Sequence, residues 1–88
     1  MTSKSFEIIA KDKLADAILT NHGEKYIESE IHMVWFCRIL GSMKGLFIDA
    51  GKNQRYYEVT YNSAMNEMYI DEYEKSRNIC YILSDLEA

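Results

Sequence analysis

Between residues 3 and 20 the apolar positions Phe6, Ile9, Ala10, Leu14, Ala17 and Ile18 recur at intervals of three and four. That spacing puts them on one stripe and predicts an amphipathic helix over 3–20. Ser3 or Ser5 is suited to cap its start, Glu7 falls in the first turn, and Glu7 with Lys11 has the spacing of a surface ion pair. Asn21-His22-Gly23 ends the periodicity, with Gly23 suited to the left-handed residue just past a helix. EKYIESEI, residues 24–31, reads as a polar connector whose Tyr26 and Ile27 are expected to tuck under a sheet.

From residue 32 the period shortens. HMVWFCRIL, 32–40, is apolar on both alternating sets: Met33, Trp35, Cys37 and Ile39 on one, Val34, Phe36 and Leu40 on the other. A strand of that kind is expected in the middle of its sheet, covered on both faces at least in part. GSMKG (41–45) reads as a turn, LFID (46–49) as a second strand and AGKNQ (50–54) as a polar loop. RYYEVTY (55–61) and NEMYID (66–71) read as a hairpin joined by NSAM.

Pairing Tyr61 with Asn66 sets Val59 against Met68 and Tyr57 against Ile70 on one side, all apolar. Thr60 then meets Glu67, Glu58 meets Tyr69 and Tyr56 meets Asp71 on the other side, which is polar, acidic and aromatic. A one-residue slip would mix the two sets, so the pattern selects the phase. Asp71 is suited to cap a short helix ending near Asn78, with Glu72 and Glu74 in its first turn, although Ile79 to Leu83 also fits an extended edge. The order helix, four antiparallel strands, helix predicts an α+β fold. In it the N-terminal helix packs on a four-stranded meander and a short C-terminal helix follows, as one domain over 1–88.

Charge narrows the choice of partner. Residues 1–44 carry six basic and six acidic side chains, whereas 45–88 carry four basic and eight acidic, so the net charge of −4 resides in the second half. Such a surface is unsuited to neutralising phosphates and suited to a basic protein, so no direct nucleic-acid binding is expected. No apolar run approaches the roughly 18 residues that suggest a membrane span. The N-terminus has acids and lysines where an export signal has its apolar stretch, so a cytoplasmic location is expected. Cys37 and Cys80, each among apolar residues, are expected as reduced, buried thiols.

The candidates for chemistry are few. GLFIDAGKNQ fails as a phosphate loop: five residues separate Gly45 from Gly51, and Lys52 is followed by Asn53. His32 and Cys37 are an odd number apart, hence expected on opposite faces, and no pair has zinc spacing; no metal or cofactor is expected. Cys37 has no basic neighbour on its own face to activate it. Glu58 and Glu67 could act as an acid–base pair only on an open face that does nothing to tune them, so no enzymatic activity is expected. The remaining feature is the outer hairpin patch, Tyr56, Glu58, Thr60, Glu67, Tyr69 and Asp71, a combination suited to protein binding.

Three segments, VWFCRIL (34–40), YYEVTYN (56–62) and MYIDEYEKSRN (68–78), resemble a family of small uncharacterised proteins from bacteriophages and prophages of Gram-positive bacteria. The likeness spans about residues 32–80. It implies a phage-encoded accessory protein made in the host cytoplasm, of a kind that inhibits host or defence proteins, and it implies no catalytic residue. Three readings follow. In the first, the patch binds a host bacterial protein. In the second, the chain sequesters a small ligand such as a nucleotide, with Lys44, Lys52 and Arg55 on phosphate. In the third it is an acidic DNA mimic, for which the charge is modest. The second face of strand 32–40, Val34, Phe36 and Leu40, needs cover, which the C-terminal segment or a homo-oligomer would supply equally well.

Overall fold

The computed structural model describes residues 1–49, 55–74 and 79–83. Helix α1 runs Ser3–His22 and is capped by Thr2, whose hydroxyl accepts from the Ser5 N–H at 3.1 Å while the Ser5 hydroxyl faces back to the Thr2 N–H at 2.9 Å. The cap therefore lies one residue before Ser3, with Ser5 as its second half; Ser5 takes the place that glutamate or glutamine usually holds. Gly23 ends the helix at φ 69° and donates to the Leu19 carbonyl, as its place in the sequence predicts. Glu7 and Lys11 pair at 2.9 Å.

The buried stripe is narrower than the apolar pattern. Phe6, Ala10, Leu14 and Ile18, four residues apart, are buried, while Ala17 is half-buried and Ile9 lies largely outside. The three larger side chains each contribute roughly 1.5–3 kcal/mol by leaving water. They pack on one face of a sheet formed by β1 (Ile31–Ile39), β2 (Ser42–Asp49), β3 (Tyr56–Asn62) and β4 (Glu67–Tyr73), antiparallel in the order β1-β2-β3-β4. A short 3-10 turn, Glu28–Glu30, leads into β1. The helix-and-meander architecture is thus α+β.

The inner face presents Ile31, Met33 and Phe36 from β1, Met43, Gly45, Phe47 and Asp49 from β2, and Tyr57, Val59 and Tyr61 from β3. A Cβ on Gly45 would stand 2.9 Å from the Phe47 ring and 3.0 Å from that of Phe6, so the missing side chain makes room for both rings. Phe6 also packs on Phe36, with centroids 5.3 Å apart.

Several expectations are corrected. The strand expected in the middle, β1, is an edge strand, and its pairing shifts between Met33 and Trp35. Val34 is the extra residue of a bulge, and past it the alternation reverses. Phe36 therefore joins Met33 on the helix side, and His32 and Cys37, an odd number apart, share the outer face. The β1–β2 turn is only Leu40 and Gly41, at φ 44° and 83°, and β2 begins at Ser42 instead of Leu46. Two successive left-handed residues make the tight turn whose twist suits a hairpin, but a leucine there is strained and fully exposed. Replacing Leu40 with asparagine is expected to raise stability by about 0.5–1 kcal/mol, measurable by urea unfolding.

The β3–β4 hairpin keeps its predicted faces in a different register. Asn62 opposes Glu67, Val59 opposes Ile70 and Thr60 opposes Tyr69, two residues along from the expected partners. An even displacement leaves every side chain on its own side. β4 continues through Tyr73, so Asp71, Glu72 and Tyr73 are strand residues, and Asp71 caps no helix. Residues 75–78, in the expected C-terminal helix, lie outside those described; of 79–83 only Leu83 is in a 3-10 turn. Cys80 is exposed and Cys37 half-buried, so neither is a fully buried thiol. Tyr26 packs against the core as expected, but Ile27 is exposed.

Candidate functional site

The face turned away from α1 carries all six residues of the expected patch. Alternation along β3 and β4 brings Tyr56, Glu58, Thr60, Glu67, Tyr69 and Asp71 to one side, with cross-strand pairs Tyr56–Tyr73, Glu58–Asp71 and Thr60–Tyr69. Tyr56, Tyr69 and Tyr73 are each about half exposed, at 48%, 51% and 49%. Tyr73, which had been placed in a helix, is thereby added to the face. The β1 and β2 strands extend it with Trp35, Leu46, Ile48 and Ile39, so half of the face is apolar and half is acidic and aromatic.

The acids of the patch are not equivalent. Glu58 is held by Lys44 at 3.1 Å across β2 and β3, and this contact raises the Lys44 pKa. Glu67 accepts a hydrogen bond from the Tyr69 hydroxyl, which pushes the phenol's pKa up because ionising it would bring two negative charges together. Asp71 is exposed and directly opposite Glu58. The negative potential of the face is therefore centred on Glu67 and Asp71.

A second cluster, which the sequence did not reveal, lies where the inner face meets the end of α1. Asp49 is 1% exposed at the end of β2. The Tyr57 hydroxyl donates to its Oδ2 at 3.3 Å, and Arg55 Nη1 stands 3.7 Å from the same oxygen. The other guanidinium arm, Nη2, reaches Glu24 at 2.6 Å, just past the helix C-cap. Arg55 thereby bridges the β2–β3 end of the sheet to the residue that follows the helix. The hydrogen bond from Arg55 holds the Glu24 carboxyl below the usual carboxylate range, and burial raises the Tyr57 phenol. On the neighbouring edge His22 Nε2 lies 2.6 Å from Glu72 Oε1. The nearest signal in the sequence is an acid closing the apolar strand LFID, with Arg55 opening the next.

Two of the expected phosphate-binding residues are already engaged by acids. Lys44 is engaged by Glu58 on the outer face, Arg55 by Glu24, Asp49 and Tyr57 on the helix side, and Lys52 lies outside the described residues. Lys44 and Arg55 do not converge. A groove of about 440 Å³ opens between α1 and the hairpin, lined by Ile9, Lys13, Tyr61, Met68 and Ile70 among others. Among the described residues no group of three His, Cys, Asp or Glu side chains is placed to hold a metal ion, and no helix is long and apolar enough to cross a membrane.

Comparison with known proteins found no match among curated proteins and none among solved structures. One family model does match, over residues 7–83, from Glu7, which lies past the first turn of α1 and not in it as expected, to the last described residue. The chain therefore belongs to that family, described as a family of unknown function (DUF6275).

Proposed function

We propose that this chain is a non-catalytic, phage-encoded accessory protein that acts in the host cytoplasm by occupying a host or defence-system protein with the outer face of its sheet. The observation that carries the reading is the exposure of Tyr56 and Tyr69 on one face with Glu67 and Asp71. Tyrosine offers a large contact area with a polar tip and few rotors to freeze, and the acids steer a basic partner into register. Glu58, tied to Lys44, contributes shape more than charge. The phage setting rests on the resemblance of the tyrosine-rich hairpin to phage and prophage proteins.

A nucleotide-sequestering role is the weaker reading, since Lys44 and Arg55 are already engaged on opposite faces. A DNA mimic is weaker still at a net charge of −4.

Capture from a host lysate tests the proposal. Immobilised wild-type chain is expected to retain a basic protein that Tyr56→Ala/Tyr69→Ala fails to retain and that raised salt weakens. Retention of the same protein by the double variant would rule the face out as the binding site.

A further inference from the structure

The apolar half of the outer face is separate from the tyrosine-acid patch and needs its own explanation. Trp35 is 41% exposed, Val34 53% and Ile39 59%, with half-buried Leu46 and Ile48 beside them. An edge strand that is apolar on both sides is unusual when the buried core lies on only one of them.

Charge indicates what the occupant is. Among the described residues of β2 and β3, Lys44 is the basic side chain at the border of the apolar half, and Glu58 pairs with it at 3.1 Å. Among the described residues, the acids of the face lie on β3 and β4. Two copies of an acidic chain can therefore meet on the β1–β2 half, while like charge keeps their β4 halves apart. The bulge at Val34 twists the β1 edge and disfavours strand-to-strand extension, leaving stacking of face on face.

We propose that two copies of this chain associate through a two-fold contact of Val34, Trp35, Ile39, Leu46 and Ile48, leaving the tyrosine-acid patch of each open.

Light scattering coupled to size exclusion, over a hundredfold range of concentration, tests the contact on the full chain. The expected mass is twice 10.3 kDa at the upper end, with emission of the single tryptophan moving to shorter wavelength as the dimer forms. Trp35→Glu is expected to be monomeric with an unchanged far-ultraviolet spectrum, because Trp35 is not among the helix-side core residues. Leu46→Glu serves the same purpose should that variant fail to fold. Tyr56→Ala/Tyr69→Ala is expected to remain dimeric, so loss of the dimer and loss of the proposed host contact are read separately. A wild-type mass of 10.3 kDa at every concentration overturns the proposal, whether Trp35 is then wet or covered by the chain's own C-terminal segment. So does a dimer that survives a folded Trp35→Glu or Leu46→Glu.

Discussion

Replacing Gly45 with alanine is expected to lower the unfolding free energy by about 1–3 kcal/mol, although the substitution removes no contact. Glycine in a strand interior ordinarily weakens it, so alanine would usually stabilise. Here the added Cβ meets the Phe47 ring at 2.9 Å and the Phe6 ring at 3.0 Å, closer than carbon atoms pack. Both rings are fully buried, and Phe6 is also in contact with Phe36. Neither can swing into solvent, so the strain passes to the helix–sheet seam. Thermal unfolding should show a fall of about 4–8 °C per kcal/mol for a domain of this size. Adding Phe6→Leu should recover less in Gly45→Ala than it costs alone if the seam is already loosened, and an unchanged melting point in Gly45→Ala would show that the rings move aside freely.

Asp49→Ala is expected to cost about 2–4 kcal/mol in urea unfolding. The carboxylate is 1% exposed and receives the Tyr57 hydroxyl, with Arg55 at 3.7 Å. Deleting it takes the acceptor from a buried phenol and leaves the guanidinium only Glu24 and the Tyr57 hydroxyl. The loss should exceed that of Tyr57→Phe, about 1–2 kcal/mol, because that change removes the two long hydrogen bonds of one hydroxyl and leaves the ion pair. A cost for Asp49→Ala no larger than the roughly 0.5 kcal/mol of an ordinary surface substitution would mean that the cluster does not fasten the helix end to the sheet.

How far the sequence could be read depended on where polar residues mark the phase of a strand. In the β3–β4 hairpin Glu58, Thr60, Glu67 and Tyr69 alternate with Val59, Tyr61, Met68 and Ile70, so the two faces were legible. The register was not, because a displacement of two preserves the faces. It is set by turn chemistry instead: Asn66 adopts φ 51°, and the Asn62 side chain accepts from the Ala64 N–H, which moves the turn one residue along. In β1 both sets are apolar, so nothing marked the bulge at Val34, and the same two-sided pattern suggested a central strand where the sheet has an edge. Asp71, Glu72 and Glu74 resemble a helix start, yet pairing of Tyr73 with Tyr56 carries the strand past them; tertiary pairing outweighs a local preference. The Asp49–Arg55–Glu24 contacts join residues up to 31 positions apart, and no local pattern announces them.

Stability resides in the inner face of the sheet and recognition is proposed for the outer one, and neighbouring tyrosines of β3 provide a direct comparison. Tyr57 is 2% exposed and Tyr56 48%. Thermal unfolding of Tyr56→Ala/Tyr69→Ala beside Tyr57→Ala is the decisive measurement. The double variant is expected to melt within about 3 °C of wild type, while Tyr57→Ala falls by at least about 10 °C. A double variant that loses as much as Tyr57→Ala would show the outer tyrosines to be structural and contradict the division of the two faces.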